Sequence, residues 1–187
     1  MQWVPKLPNP GRIRRLHPMG DTPRRLDRGA EIVTYTITVD APAQELWAIA
    51  ANPHRHHELD GSGTVRSRAI GPRQLLPEDR FRVDMKKFGL PYALTLRVTE
   101  SRPPQSPDAG EPVTGVVEWR QPTGHRWRWE FAPAVGPDGT VRTEVTESYD
   151  ASGQQPVVRR FLNAVKVAEE NAQGIRDSLQ GLHNRFA

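Results

Sequence analysis

The chain has 187 residues with a formal net charge of +4, and it contains no cysteine. A chain of this length can bury about 70% of the surface that it exposes when unfolded, so one domain needs neither a disulfide nor a structural metal. The missing thiols exclude cysteine catalysis and thiolate metal sites, and they fit a reducing cytoplasm, which is the expected location. No apolar run approaches the ~18 residues of a membrane span, and the N-terminus lacks the apolar core of a signal peptide.

The first 30 residues hold the excess of positive charge. They contain seven lysine and arginine residues against two aspartates, a net charge of +5, whereas residues 31–187 hold 19 basic and 20 acidic groups. Five prolines and the lack of apolar periodicity predict residues 1–30 to be a disordered basic tail. The alternatives are a tail that contacts nucleic acid or an anionic membrane, and a natural translation start at Met19.

Residues 31–187 are predicted to form one domain that begins with a strand and two short helices. Alternating β-branched residues predict the strand over 33–39. Apolar residues at helical spacing predict a helix over 43–51, and a helical turn over 54–60 follows.

Six further strands and one long helix complete the predicted domain. Proline and glycine separate the strands, which are expected at about 64–70, 80–86, 91–100, 113–120, 125–134 and 140–149. After Pro156, apolar residues recur at intervals of three and four, which predicts an amphipathic helix of about thirty residues and about 45 Å. Gly174 in its middle costs about 1 kcal/mol relative to alanine, which indicates close packing or a slight bend there.

Alternation along the strands separates an aromatic face from a charged face. His125, Trp127 and Trp129 share one face, while Arg126 and Arg128 lie on the other. Arginine and tryptophan on opposite faces do not form a platform for single-stranded nucleic acid, so no specific nucleic-acid partner is expected.

The same alternation restricts the loop between the last two strands. Odd-numbered inward residues 125–131 must pair with Val145, Glu147 and Tyr149, which requires an odd number of loop residues. We therefore expect a loop of three or five residues, or a bulge at Gly139.

One helix lying against a curved sheet encloses either a packed aromatic core or a cavity. Wide, rigid aromatic side chains on the inward face favour a cavity that they line without filling. The predicted ligand-binding residues are Trp47, Phe81, Met85, Tyr92, Trp119, His125, Trp127, Trp129, Tyr149, Phe161 and Val165.

Four motifs carry a family resemblance in their order and spacing. They lie at residues 39–47, 52–63, 124–127 and 145–150, and together they resemble the START and polyketide cyclase/dehydratase (SRPBCC) superfamily, in particular its actinobacterial cyclase-like members. The resemblance covers about residues 31–185. It implies the helix-grip fold, an α+β architecture in which a seven-stranded curved antiparallel sheet wraps around the long C-terminal helix.

The resemblance also implies a hydrophobic small molecule, aromatic or polyketide-like, bound beneath that helix. Some members of the superfamily fold and dehydrate polyketide chains, whereas others only carry or sense a ligand, and the fold does not decide between these activities. A non-catalytic carrier or sensor is therefore the alternative to a cyclase or dehydratase.

Three residues are candidates for a general acid or base. Glu147 is predicted to face the aromatic side, where burial raises the pKa of a carboxyl into a range useful for proton transfer. The alternative is a structural contact with His125 or Tyr149. The resemblance places His56 and Asp60 near the cavity mouth, although Asp60 has the alternative role of ordering the turn that follows it.

No cofactor and no metal are expected. His54, His56 and His57 have no i, i+4 spacing of a helical metal pair, and no second ligand motif accompanies them. The glycines at 61 and 63 are not followed by the remaining residues of a phosphate-binding loop.

Overall fold

The computed structural model describes residues 22–106, 110–136, 139–157 and 167–187. Its strands are β1 (Arg24–Leu26), β2 (Ile32–Val39), β3 (Val65–Ile70), β4 (Arg80–Lys87), β5 (Leu90–Arg102), β6 (Gly115–Arg120), β7 (Arg126–Val135) and β8 (Val141–Asp150). Its helices are α1 (Ala43–Ala50), a 3₁₀ helix (Pro53–Glu58) and α2 (Val167–Phe186). Of the predicted C-terminal helix, residues 158–166 lie outside the described residues.

The described strands form a single antiparallel sheet of eight strands in the order β1-β2-β8-β7-β6-β5-β4-β3. The predicted helix-grip fold is confirmed, with the two short helices between β2 and β3 and the amphipathic helix at the C-terminus. The helices in the described part of the chain lack the combination of length and hydrophobicity that crossing a membrane requires.

β1 corrects part of the predicted disordered tail and raises the strand number from seven to eight. Arg24 lies opposite Thr36 and Leu26 opposite Thr34, so β1 covers one edge of β2. Without β1, β2 would be an edge strand with unpaired backbone N–H and C=O groups. The three residues of β1 pair with these groups through their own backbone, which requires no apolar pattern in their sequence. The remaining predicted tail, residues 1–21, lies outside the described residues.

The predicted register between β7 and β8 is confirmed. Trp127 lies opposite Tyr149, Trp129 opposite Glu147, and the two strands end at the pair Val135 and Val141. Five residues, an odd number, therefore connect the strands. The inward residues of both strands share one face because the side-chain period of a strand is two.

Helix α2 packs its apolar side on the sheet. Ile175, Leu179 and Leu182 are fully buried, as the predicted stripe requires. Two polar contacts with β2 fix the helix further: the Arg176 guanidinium donates to the hydroxyl of Tyr35 at 3.1 Å, and His183 Nδ1 lies 2.8 Å from the carbonyl of residue 38. The helix therefore holds a defined position over the inner face of the sheet.

Candidate functional site

A cavity of about 300 Å³ lies between the sheet and α2. Its wall is formed by strands β3 to β8, by α2, and by the 3₁₀ helix with the loop that follows it. The volume is at the lower end of the range of about 300–1,000 Å³ that small-molecule sites occupy. The predicted site residues that line it are His56, Asp60, Met85, Tyr92, Trp119, His125, Trp127, Trp129 and Glu147.

Three predicted ligand-binding residues are packed behind this lining. Trp47 on α1 is buried and donates its indole N–H to the carbonyl of Val116 at 3.1 Å, because α1 packs against β6 and β7 rather than over the cavity. Phe81 and Tyr149 are also buried. The remaining two, Phe161 and Val165, lie outside the described residues.

The packed aromatic residues support the lining residues directly. The ring of Phe81 contacts Trp119 edge-on, with centroids 5.8 Å apart. The ring of Tyr149 lies 5.0 Å from His125 and 5.4 Å from Trp127. These contacts fix the orientation of the aromatic wall because neighbouring rings restrict each other's rotation.

Glu147 supplies a buried carboxyl to the wall. It lies on β8 and is 5% exposed, and its Oε2 atom has no hydrogen-bond partner among the described residues. Burial raises the pKa of this carboxyl well above its ordinary value of 4.5, the neighbouring charge of Asp60 raises it further, and a hydrogen bond with Ser178 opposes both effects. The balance favours the neutral acid, which can donate a proton to a molecule in the cavity.

Glu147 forms its hydrogen bond with Ser178 of α2, and not with His125 or Tyr149, the two structural partners that the sequence suggests. Nδ1 of His125 lies 3.2 Å from the amide of Gln154, and the hydroxyl of Tyr149 also bonds to Gln154. His125 and Tyr149 therefore interact with each other and with Gln154 at one end of the wall.

Asp60 orders the loop at the entrance, the alternative role that the sequence allows for it. Its Oδ1 accepts hydrogen bonds from the backbone N–H of Ser62 at 3.0 Å and from the Ser62 hydroxyl at 2.6 Å, while Oδ2 accepts from Val65 N–H at 2.7 Å. A carboxylate with three donors is a structural acceptor. Its contribution to the site is the negative charge that it places near Glu147.

The loop that Asp60 orders approaches α2 very closely. The N–H of Gly61 donates to the hydroxyl of Ser178 at 2.9 Å, and a Cβ atom on residue 61 would lie 2.1 Å from the backbone nitrogen of Ser178. Only glycine fits this approach, because a Cβ contact of that length is impossible without moving backbone. The loop and the helix thus position the hydroxyl that contacts Glu147.

His56 is a buried, neutral ring in the wall. It stacks on Trp119 with centroids 4.8 Å apart, and its Nε2 lies 2.8 Å from the carbonyl of Ala50, so Nε2 carries the proton. Burial lowers the pKa of His56 to about 4, a shift that the Ala50 hydrogen bond only partly opposes. The ring therefore remains uncharged at neutral pH.

His125 is also neutral and is oriented from outside the cavity. Its Nδ1 lies 2.8 Å from the Thr123 hydroxyl and 3.2 Å from the Gln154 amide nitrogen. Because that amide donates, Nδ1 accepts and the ring proton is on Nε2. Burial lowers the pKa of His125 to about 4.

The three neighbouring histidines diverge. Nε2 of His54 lies 3.1 Å from the carbonyl of Gly71, His56 faces inward, and His57 is exposed. Across the described ranges, no three histidine, aspartate or glutamate side chains are arranged to hold a metal ion.

Sequence reasoning missed the residues that α2 contributes to the wall. Asn171, Gly174 and Ser178 line the cavity, and their spacing of three and four places them on one side of the helix next to its apolar stripe. That spacing was the available signal. A row of small and polar residues beside an apolar stripe marks where a helix borders a space rather than a packed core.

These features define the class of protein: a helix-grip protein with an aromatic-lined cavity under its C-terminal helix. A solution structure of a protein from Arthrobacter aurescens shares the fold with a TM-score of 0.52 at 11% identity, covering 82% of this chain and 86% of that one. A crystal structure of a protein from Rhodobacter sphaeroides has a TM-score of 0.50 at 18% identity, and the match covers 83% of this chain and 94% of that one. The crystal structure of an aromatase/cyclase from Streptomyces sp. R1128 has a TM-score of 0.48 at 18% identity, and the match covers 83% of this chain and 95% of that one.

The sequence places the chain in a family. It is 41% identical over 176 residues to the uncharacterized protein Rv0088 of Mycobacterium tuberculosis strain H37Rv, an alignment that covers 92% of this chain and 72% of that protein. Uncharacterized protein MT0096 of Mycobacterium tuberculosis strain CDC 1551 is 40% identical over 176 residues, again covering 92% of this chain and 72% of that protein. No protein-family model matches. The chain belongs to the family of these two mycobacterial proteins.

Proposed function

We propose that this is a cytoplasmic protein that binds a hydrophobic, aromatic or polyketide-like small molecule in the cavity between the sheet and α2. The observation that carries the proposal is the wall itself, in which Trp119, Trp127 and Trp129 border a cavity of ligand size. Aromatic rings bury large apolar areas and add favourable stacking with a flat ligand. A cavity with this lining suits a ring system better than a flexible polar molecule.

We further propose that the chain is a cyclase-like member of the SRPBCC superfamily. The motifs at 39–47, 52–63, 124–127 and 145–150 support this placement, and so does the position of the cavity under the C-terminal helix.

A second function, proton transfer at Glu147, is favoured by its Oε2 atom, which accepts no hydrogen bond from the part of the chain that the structure describes. In a dehydration, the neutral carboxyl would give its proton to a hydroxyl that leaves as water. The carboxylate formed would then take a proton from the carbon next to a carbonyl, so that a double bond forms and Glu147 is neutral again. This chemistry needs one acid/base group next to a ligand that the wall holds in place.

Carrier or sensor function is the alternative, and the hydrogen bonds of the other polar residues favour it. Asp60 is engaged by three donors of its own loop, and Nδ1 of His125 is engaged by Thr123 and Gln154. Glu147 therefore has little help from these two groups in catalysis.

Native mass spectrometry of the protein purified from its own host is the direct test of binding. We expect a bound mass that is released on unfolding, and quenching of tryptophan fluorescence when the ligand-free protein is titrated with a tricyclic aromatic probe such as anthraquinone. Three tryptophans in the wall make the second signal large. A protein that carries no bound mass and shows no quenching would contradict the binding proposal.

A further inference from the structure

The tip of the β4–β5 hairpin carries exposed apolar side chains. Lys87 pairs with Leu90, so Phe88 and Gly89 form a two-residue loop with φ angles of 51° and 81°, which is the geometry of a type I′ turn. Asparagine is usual at the first of these positions, because left-handed backbone is unfavourable for phenylalanine. Phe88 is nevertheless 87% exposed and Leu90 72% exposed, so both side chains are available to a partner.

A row of apolar side chains connects this tip with the cavity. Leu90, Tyr92, Leu94 and Leu96 alternate along β5 and share its inner face. The last three line the cavity, and exposure rises from 4% at Leu96 through 41% at Tyr92 to 72% at Leu90. The row therefore leads from the buried wall, through the mouth, to the tip of the hairpin.

The sequence of the hairpin tip is basic. Lys86 and Lys87 precede the turn, and the sequence has no aspartate or glutamate between Asp84 and Glu100. Lys87 Nζ also forms an ion pair with Glu170 of α2 at 2.6 Å. Both residues line the cavity, so this ion pair spans its mouth. Glu170 neutralises Lys87 in this pair, so the exposed Lys86 supplies the positive charge behind the apolar tip, which makes the tip complementary to a negatively charged surface that has an apolar interior.

We propose that this tip, residues 86–92, docks the protein on an anionic lipid surface. Phe88 and Leu90 enter the boundary of the acyl chains, while Lys86 remains at the level of the lipid phosphates and Lys87 keeps its ion pair with Glu170. A convex turn with its apolar groups at the outermost point enters a bilayer without any matching pocket.

The consequence for the ligand rests on the proposed function. Docking at the tip brings the cavity mouth to the membrane, where a hydrophobic ligand accumulates. The row along β5 then offers that ligand a path into the cavity that avoids water. Docking itself depends only on the tip.

Co-sedimentation of the full chain with vesicles tests the docking. We expect binding to equimolar phosphatidylglycerol and phosphatidylcholine, no binding to phosphatidylcholine alone, and at least a fivefold smaller bound fraction for Phe88→Asn, since asparagine retains the turn. Leu76→Ser is the matched control: Leu76 is 56% exposed but precedes the opposite end of β4, so its replacement leaves binding unchanged.

Two results overturn the proposal. Equal binding of the wild type and Phe88→Asn assigns the interaction to another basic segment, such as residues 1–30 with their net charge of +5. If the protein binds neither type of vesicle, the tip does not dock on lipid, and the exposed apolar tip is assigned to contact with another protein.

Site-specific labelling provides an independent measurement, because the chain has no cysteine of its own. An environment-sensitive fluorophore on Phe88→Cys is expected to shift to shorter wavelength with anionic vesicles, whereas the same label on Leu76→Cys is not. Identical responses at both positions overturn the proposal. If the label at residue 88 shifts but anthraquinone does not quench tryptophan fluorescence, docking stands and the ligand-binding proposal is wrong. If anthraquinone quenches the fluorescence but the label does not shift, ligand binding stands and the docking proposal is wrong.

Discussion

Trp129 on β7 lies directly opposite Glu147 on β8, and both side chains line the cavity. Cross-strand neighbours on one face have Cβ atoms about 4.5–5.5 Å apart, so the indole lies beside the carboxyl and helps to exclude water from it. Trp127, two residues along the same strand, is only partly buried and lines the same cavity, so its ring is the more accessible one for a ligand to stack on. A ligand bound there would lie within reach of the acid, which links binding to any proton transfer.

Glu147→Gln is expected to stabilise the protein at alkaline pH. The folded-state pKa of Glu147 is raised above its unfolded value, so the folded state holds the proton more tightly and the wild type loses stability as pH rises through the interval between the two values. Glutamine has no charge to lose. The free energy of unfolding from urea titrations should favour the variant at pH 8, and the difference should shrink toward pH 4.5.

Glu144→Gln is the control for this comparison, since it removes a carboxyl from the same strand. It should not reproduce the pH dependence. If Glu147 also transfers protons, Glu147→Gln should abolish turnover of a substrate and retain its binding. A variant that is less stable than the wild type at every pH would show that Glu147 has a purely structural role.

The sequence predicted the register around Glu147 because strand periodicity is strict. A shift by one residue moves the whole inward row to the other face, so the odd loop length followed from the positions of Trp129 and Glu147 alone. The contact of Glu147 with Ser178 could not be predicted in this way. It depends on how α2 lies across the sheet, which the close approach at Gly61 determines.

Trp47 and β1 show two other limits. Helical spacing identified Trp47 as buried, but a buried helix position does not specify whether the side chain meets a cavity or fills the core, and here its N–H bonds to Val116. β1 has no apolar alternation to detect, because pairing with the edge of β2 depends on backbone groups.

His56 is expected to make the protein less stable in mild acid. Its pKa is about 4 in the folded state against 6.5 ordinarily, so the unfolded state binds the extra proton and stability falls as pH decreases from 6.5 to 4. The loss attributable to His56 is about 3 kcal/mol. His125 has a shift in the same direction and adds to the total.

Urea unfolding of His56→Gln and of the wild type at pH 7, 5.5 and 4 measures how much of the acid-induced loss of stability comes from His56. The variant loses the stack on Trp119 and should be less stable than the wild type at pH 7, but the gap should close toward pH 4. His57→Gln at the exposed neighbouring position should follow the wild type. Parallel curves for the wild type and His56→Gln would refute the assignment.

Gly61→Ala is expected to be strongly destabilising. Its Cβ would lie 2.1 Å from the backbone nitrogen of Ser178, so either the loop or α2 must move, at a cost of about 3 kcal/mol. The comparison is Gly181→Ala in α2, where nothing lies within 4 Å of the added atom and helix propensity gains up to about 1 kcal/mol. Thermal unfolding should therefore shift in opposite directions for the two variants.

Gly174→Leu is expected to close part of the cavity and separate binding from stability. Residue 174 lines the cavity, and a Cβ there would meet Ser62 at 3.6 Å, an ordinary contact. The rest of a leucine side chain extends into the space available to a ligand, so anthraquinone affinity should fall at least tenfold, which corresponds to about 1.4 kcal/mol. Gly181→Leu makes the same change of residue type on the exposed side of the same helix and should bind as the wild type does. Because both variants gain helix propensity, a lower affinity confined to Gly174→Leu reports occupation of the cavity, whereas equal affinities would show that the probe binds elsewhere.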